Sequence, residues 1–215
     1  SKSPLENPYA MKKNYILPFA LLVVIASCVT SCRTHKNVVS TTKTASSTAE
    51  ARAFVSQISP FVQQRCQKAV IPASVVVAMA FLESGFGKSE LAVNANNLFG
   101  MKDNSKDHKN AYLYQKQYAG ETGNWYKRFI SQQACLAFFI DELLLHKTGL
   151  WKRDYSPVVR TYREDLNNGL SKDAAARNFM GNLVDKGYTT LAKDAYIERL
   201  ERIIATYGLA ELDNF

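Results

Sequence analysis

Apolar residues recur at helical spacing through most of the chain, and this pattern predicts a mainly helical domain. The segment 49–68 carries an apolar stripe that is interrupted at Pro60. The next segment, 73–84, is almost entirely apolar, which is typical of a helix buried on all sides at the centre of a domain. Two glycines follow it closely and predict its end.

Two aromatic-rich segments, 112–118 and 125–130, flank the turn-forming run Gly120-Glu121-Thr122-Gly123-Asn124, and together they predict a β-hairpin. Ser131 then has the position of an N-cap for an amphipathic helix that runs to about Lys147. Further helices are predicted over 156–166, 172–185 and 189–206. The predicted fold class is α+β, mainly α, with a helical body and a small β-hairpin lobe.

The N-terminal segment has the layout of an export signal. Met11, the expected start of translation, is followed by two lysines and an apolar run over 16–27, which is shorter than the roughly 20 residues of a membrane span. Cys28 and Cys32 each follow small residues, a pattern that resembles the lipidation site of bacterial lipoproteins. Cys32 is favoured because strongly polar sequence begins directly after it; Cys28 and a signal without lipidation are the alternatives.

These patterns divide the chain into four predicted segments. They are an upstream extension or cloning remnant (1–10), a lipoprotein-type signal peptide (11–32), a flexible Ser/Thr-rich tether (33–50) and a folded domain (51–215). The protein is therefore expected to be exported to the bacterial cell envelope, on the periplasmic or outer-membrane side, and held at the membrane by an N-terminal lipid anchor.

Composition and charge narrow the classes of function. The 215 residues are 47% hydrophobic and 21% charged, as in one globular domain with appendages, which excludes wholesale disorder. The net charge is +8, and the charges of the folded domain are interspersed. Because there is neither a Lys/Arg stripe nor a nucleic-acid motif, no nucleic-acid partner is predicted, whereas a basic surface suits an anionic wall polymer.

The histidines and cysteines of the folded domain point to no cofactor. His108 and His146 have neither metal-ligand spacing nor a neighbouring nucleophile, so no metal and no other cofactor is predicted. Cys66 and Cys135 lie on separate predicted helices of an exported domain. A disulfide and two buried free thiols are both open, because the sequence does not give the distance between them.

One carboxylate has the surroundings of a general acid. Glu83 stands near the C-terminal end of the apolar segment 73–84. The helix macrodipole and an apolar environment both disfavour its ionised form there, which raises its pKa as a general acid requires. The glycines beyond it allow a polymer to approach closely. The alternative is a glutamate that simply turns to solvent at a helix end.

The sequence around Glu83 resembles that of a known enzyme family. It comprises Leu82-Glu83-Ser84-Gly85-Phe86-Gly87-Lys88-Ser89-Glu90-Leu91-Ala92 and then Asn97-Leu98-Phe99-Gly100-Met101-Lys102. Both runs resemble the signature of bacterial glucosaminidases of the flagellar-muramidase and autolysin type (glycoside hydrolase family 73). Weaker similarity continues in 126–131, in Gly187-Tyr188-Thr189-Thr190 and in Ala195-Tyr196, so the resemblance spans about residues 51–215.

The resemblance implies a lysozyme-like fold with a cleft between the helical body and the β-lobe, and hydrolysis of the β-1,4 bond after N-acetylglucosamine in peptidoglycan. Glu83 matches the family's general acid, and Tyr188 matches the tyrosine that faces it across the cleft. Asn97 and Phe99 match the motif that shapes the cleft floor. The ordinary alternatives are a helix-start residue for Tyr188, a turn residue for Asn97 and a core residue for Phe99.

The second catalytic group is where the sequence departs from the family pattern. Many members carry a Glu-Tyr pair in the β-lobe, but here the local counterpart is Gln117-Tyr118, and the nearest acid is Glu121 in the hairpin turn. Glu121 and the substrate's own acetamido group are both open as the second group, so retention and inversion are not decided. Tyr118 and Trp125 are candidates for stacking on sugars, with core packing as the alternative for Trp125.

Three classes of function fit these features. The leading one is a peptidoglycan endo-β-N-acetylglucosaminidase. A lytic transglycosylase or muramidase also uses a single glutamate on a lysozyme-like fold, but Asn97-Leu98-Phe99-Gly100 favours the glucosaminidase. The third is a non-catalytic wall-binding lipoprotein, which the neutral Gln117 suggests.

Overall fold

The computed structural model describes residues 34–114 and 124–215, with side chains described from residue 47 onwards. The predicted signal peptide with Cys28 and Cys32, and the hairpin residues Tyr118 and Glu121, lie outside the described residues. Residues 41–215 form one compact unit. No helix in the described ranges is both long and apolar enough to cross a membrane.

Helix α1 (Thr34–Ala69) is longer than the apolar pattern predicts. The segment 33–50, expected to be a flexible tether, is helical from Thr34, because it contains neither Gly nor Pro to end the helix. Pro60 does not interrupt α1 either, which corrects the predicted break. Of the predicted apolar stripe of α1, Phe54, Ile58 and Val62 are buried and Phe61 is half-buried, and Cys66 continues the stripe by one turn.

Helix α2 (Ala73–Ser84) is the centre of the fold. Residues 73–80 are all buried, because this segment is apolar on every face and other elements surround it. α2 packs against α7 (Lys193–Tyr207) and against the C-terminal 3-10 helix Leu209–Asp213. The central buried helix predicted from the sequence is therefore confirmed.

The two ends of α2 are closed in different ways. Pro72 at its start supplies no side-chain cap, and Asp213 takes this role by accepting a hydrogen bond from the Ser74 amide at 3.0 Å. At the other end the chain stops at Gly85, whose φ of 55° lies in the left-handed region that glycine adopts without strain. Both ends are thus fixed, which holds the last turn of α2 in place.

A two-stranded antiparallel sheet forms the predicted β-lobe. β1 (Ala111–Tyr114) pairs with β2 (Asn124–Lys127). Helix α3 (Glu90–Ala95) packs on this lobe, and a bridge between Lys102 and Tyr126 ties the loop after α3 to β2. The lobe is therefore attached to the segment that directly follows α2.

The C-terminal half is helical, as predicted, with two differences. The last helix, predicted over 189–206, begins only at Lys193. α4 (Gln132–Phe138) begins at the Ser131 N-cap but continues as a π-helical segment, Phe139–Leu144, instead of one α-helix to Lys147. A hydrophobic pattern over six residues does not separate these two helix types, so the π-helical turn was not predictable. The last elements before α7 are α5 (Ser156–Asn167) and α6 (Lys172–Asp185).

The two cysteines of the folded domain are free thiols, and both are buried. Burial raises the pKa of the Cys135 thiol to about 12, and it also raises the pKa of Cys66. Buried, protonated thiols behave as small apolar side chains, so Cys66 and Cys135 contribute to the core instead of forming a cross-link.

Candidate active site

Glu83 stands in the last turn of α2, at a cleft of about 320 Å³. Its neighbour Ser84 is buried, and the Ser84 hydroxyl donates to the Ala80 carbonyl and accepts from the Gly87 amide at 2.8 Å. These bonds fix the turn that follows the glutamate. The result is a carboxyl group presented to an open cleft from the end of the most deeply buried helix.

The surroundings of Glu83 favour its protonated form. Although the residue is open to the cleft, protein atoms close to the carboxyl remove part of its hydration, and this raises its pKa above the ordinary value of glutamate. The Tyr196 hydroxyl donates a hydrogen bond to Oε1 at 3.3 Å, which opposes that rise. With a raised pKa the carboxyl keeps its proton to a higher pH than an ordinary glutamate, as a general acid must.

Tyr188 lines the same cleft as Glu83, just beyond the end of α6. Its ring lies among other aromatic rings, with centroid distances of 6.0 Å to Tyr155, 6.1 Å to Tyr196 and 6.2 Å to Phe139. Burial, reinforced by the nearby Tyr196 and Glu83, raises the pKa of Tyr188 well above its ordinary value. The hydroxyl therefore stays protonated and is able to donate a hydrogen bond into the cleft.

Asn97 and Phe99 shape the cleft in different ways. Phe99 lines it and stacks on Phe139 with 3.7 Å between the ring centroids. Asn97 is only 1% exposed: its Nδ2 donates to the carbonyls of Met101 and Lys127, both at 2.9 Å, and its Oδ1 accepts from the Met101 amide at 3.0 Å. Asn97 thus supports the floor from beneath, while Phe99 faces the cleft.

Trp125 lies apart from these residues. It is 36% exposed on β2, and its ring stacks on His108 with 4.6 Å between centroids. It is therefore not a core residue, and it is absent from the walls described for the Glu83 cleft. Sugar stacking by Trp125 stays a prediction.

Several residues that the sequence did not single out complete the site. The cleft walls also contain Lys102, Asn104, Leu143, Trp151, Tyr155 and Thr189. Tyr196 belongs to a weak motif, but nothing in the sequence shows that its hydroxyl contacts Glu83, which lies 113 positions earlier in the chain. Trp151 carried a usable signal, because it is an aromatic residue beside two cations in a segment without a predicted helix.

Among the described residues that line the cleft, Glu83 is the only carboxylate. Asp103 is close in sequence, but its side chain is 7% exposed and is held by His108 at 2.8 Å and by Ser105. The ranges 34–114 and 124–215 contain no group of three or more His, Cys, Asp or Glu side chains that could hold a metal ion, as far as the structure describes them. The chemistry of the described cleft thus centres on one acid surrounded by aromatic and amide groups.

Known proteins share this domain. A family model for glucosaminidase, described as mannosyl-glycoprotein endo-beta-N-acetylglucosaminidase, matches residues 59–209. Exo-glucosaminidase LytG of Bacillus subtilis (strain 168) is 30% identical over 166 residues, which are 76% of this chain and 54% of that protein. The chain therefore spans about half the length of this relative.

Two solved structures are similar in fold. The catalytic domain of the autolysin Auto from Listeria monocytogenes has a TM-score of 0.54 at 22% identity, covering 76% of this chain and 87% of that one. A peptidoglycan hydrolase from Sphingomonas sp. A1 has a TM-score of 0.51 at 22% identity, covering 75% and 92%. These likenesses confirm the lysozyme-like helical body with a small β-lobe. Since the family model matches most of the folded domain, the chain belongs to the glucosaminidase family, as its motifs predict.

Proposed function

We propose that this chain is a peptidoglycan hydrolase that cleaves the β-1,4 bond after N-acetylglucosamine, an endo-β-N-acetylglucosaminidase with Glu83 as its general acid. The observation that carries the proposal is a glutamate with a raised pKa, hydrogen-bonded by Tyr196 and open to a cleft that also contains Tyr188. Membership of the glucosaminidase family supports the choice of bond, and an anionic wall polymer suits the basic chain.

In the proposed reaction the protonated Glu83 gives its proton to the glycosidic oxygen as the bond to the sugar carbon breaks. Tyr196 binds Oε1, which leaves Oε2 for the substrate. Tyr188 donates a hydrogen bond to a substituent of the bound sugar, and Phe99 forms an apolar part of the cleft wall. When the second group acts as a nucleophile, the ionised Glu83 is then placed to take a proton from the incoming water; when Glu121 acts as the base, Glu121 takes that proton.

The second catalytic group has two candidates in this proposal. One is Glu121, in the hairpin turn outside the described residues, acting as base or nucleophile. The other is the acetamido group of the substrate, acting as nucleophile. Glu121 stands in a Gly-flanked turn, where a fixed catalytic geometry is hard to hold, and this favours the acetamido group and with it a modest effect of Glu121→Gln.

The site of action follows from the same proposal. We place the protein at the bacterial cell envelope, exported by the segment 11–32 and anchored through an acylated Cys32, with Cys28 as the alternative. The small residues before each cysteine support this proposal, as does a wall polymer as substrate, since that polymer lies outside the cytoplasmic membrane.

A digest of purified cell wall, analysed by mass spectrometry, tests the proposal. Reducing N-acetylglucosamine ends are expected. Reducing muramic acid ends would indicate a muramidase, and anhydro ends a lytic transglycosylase, which the single lining carboxylate also fits. Early release of long fragments is expected for endo cleavage, whereas disaccharides alone would indicate an exo enzyme. Wall binding without released sugar would indicate the non-catalytic alternative.

Glu83→Gln tests the general acid directly. We expect the variant to keep less than a tenth of the wild-type rate while it still binds wall, because only the proton donor is lost, and general acid–base catalysis contributes about 10²–10⁴-fold. Glu164→Gln, an exposed glutamate of α5, is the matched control and should keep full activity. More than a tenth of the activity in Glu83→Gln would contradict its role.

A further inference from the structure

The Glu83 cleft continues into a second concavity of about 520 Å³. The two share Asn104, Trp151, Tyr155 and Tyr188 in their walls. The second concavity adds Lys152 and Arg153, which precede α5. A linear polymer bound across Glu83 therefore has, in one direction, a surface made of an aromatic residue and two cations.

The cations of this surface have no acidic partner among the described residues. Lys152 and Arg153 form no ion pair within the part of the chain that the structure describes. The adjacent Asp154 is engaged elsewhere, because its carboxylate accepts from the Ser156 amide at 2.8 Å at the start of α5. Two cations without an acidic partner among the described residues make this end of the cleft electropositive.

Arg153 is held in a fixed place. Its Nη1 donates to the Gly187 carbonyl and lies 3.4 Å from the Tyr155 hydroxyl. Gly187 leaves room for it, since a Cβ at this position would stand 2.8 Å from Nη1. These contacts use Nη1, so Nε and Nη2 remain to receive an acceptor in the planar geometry that suits a carboxylate.

We propose that Lys152 and Arg153 form a subsite for carboxylate groups on the substituents of the glycan, so that the cleft selects an acidic, substituted strand over a neutral one. This inference rests on the proposed function. Peptidoglycan offers two sources of carboxylate: the stem peptides, and the lactyl group of muramic acid once its peptide has been removed. Trp151, shared by both concavities, provides an apolar surface between this subsite and Glu83.

The test compares three substrates: peptide-bearing glycan fragments, the same fragments after enzymatic removal of their peptides, and neutral N-acetylglucosamine oligomers. For the double variant Lys152→Gln/Arg153→Gln we expect KM on the peptide-bearing fragments to rise about tenfold with kcat unchanged, and neutral oligomers to be unaffected. Arg199→Gln, an exposed cation of α7 outside both concavities, is the matched control. If the peptide-free fragments behave like the peptide-bearing ones, the lactyl group is a sufficient source; if they behave like neutral oligomers, the peptides are the source.

Affinities measured with the Glu83→Gln protein make the test independent of turnover, because this variant is expected to bind the fragments without cleaving them. The two added substitutions should weaken its affinity for peptide-bearing fragments about tenfold, and this difference should shrink at high salt. An equal loss on acidic and neutral ligands, or no loss on either, would overturn the subsite. If the wild-type protein binds these fragments but cleaves none of the substrates, the proposed function is contradicted. The subsite is still tested in that case, because the binding affinities of the variants report on the cations without any cleavage.

Discussion

At the scale of single residues, the Glu83 carboxyl is under two opposing influences. The partial loss of hydration at the carboxyl raises its pKa, and the hydrogen bond from Tyr196 lowers it. Tyr196 is itself fully buried, and burial together with the charge of Glu83 raises its own pKa, so it remains a donor at any working pH. The hydrogen bond from Tyr196 therefore has two effects: it lowers the proton affinity of Glu83, and it fixes the orientation of the Glu83 carboxyl.

Tyr196→Phe separates these two effects. The variant keeps the buried ring and removes the hydrogen bond that stabilises ionised Glu83. The pKa of Glu83 should therefore rise further, and the alkaline limb of the kcat/KM profile should move to higher pH, with a lower maximum because the carboxyl is less well oriented. The measurement is the pH–rate profile beside that of Tyr207→Phe, a tyrosine of the same helix that packs on Phe81 outside the cleft. A limb that stays in place or moves to lower pH would contradict this role of Tyr196.

The same pKa shift has a consequence for stability. Because folded Glu83 binds its proton more tightly than the unfolded chain does, its favourable contribution is complete below the unfolded pKa of about 4.3 and is lost as pH rises through the folded pKa. Glu83→Gln removes a carboxylate that is costly to ionise, so we expect the variant to be more stable than wild type at pH 8 and no more stable at pH 4. Urea unfolding at both pH values measures this. A less stable variant at pH 8 would show that ionised Glu83 makes contacts in the folded protein that outweigh its loss of hydration.

At the scale of elements, the loop 97–101 joins the end of α3 to the β-lobe and forms the cleft floor. Asn97→Ala should destabilise the domain by at least about 2 kcal/mol, since it leaves several backbone groups without partners in a buried place. Activity should fall as well, because Phe99 depends on this loop. Asn94→Ala, which removes only a 3.3 Å hydrogen bond to Tyr112 at the surface, is the control and should cost less than about 1 kcal/mol. Similar unfolding free energies for the two variants would show that Asn97 does not hold the floor.

Helix ends marked by a serine cap or a glycine stop were predictable. Ser131 and Ser171 accept hydrogen bonds from the amides three residues on, and Gly85 and Gly208 end their helices in the left-handed conformation, as their residue types predict. These signals are local, so a sequence carries them. The early start of α1 and the π-helical turn after α4 were missed, because nothing in their composition sets them apart from a tether or an α-helix.

The site was predictable only where a motif carried it. Glu83, Phe99 and Tyr188 come together in one cleft, in agreement with the resemblance. Tyr196 and the cations at 152–153 were not predicted as site residues, because their roles depend on contacts between elements far apart in sequence. Long-range geometry of this kind is set by packing of the whole core, which periodicity along the chain does not report.

At the scale of the whole molecule, two different forces could hold this protein at a membrane or wall. The excess of Lys and Arg over Asp and Glu attracts it to anionic surfaces, an interaction that salt screens over roughly 10 Å at 0.1 M. A diacylated N-terminal cysteine would add an anchor worth about 0.8 kcal/mol for each buried CH₂, which salt does not weaken. Salt therefore distinguishes the two forces.

The double variant Cys28→Ser/Cys32→Ser tests the anchor. We expect the wild type to stay with membranes through a wash at 1 M salt and to leave them only in detergent, because two acyl chains give stable anchoring where basic charge alone does not. The double variant should be released by the salt wash, and the mass of the mature wild-type protein should correspond to a lipid-modified chain that begins at the acylated cysteine. Of the single variants, only the one that removes the modified cysteine should be released. A double variant that resists 1 M salt as the wild type does would show that something other than these cysteines anchors the chain.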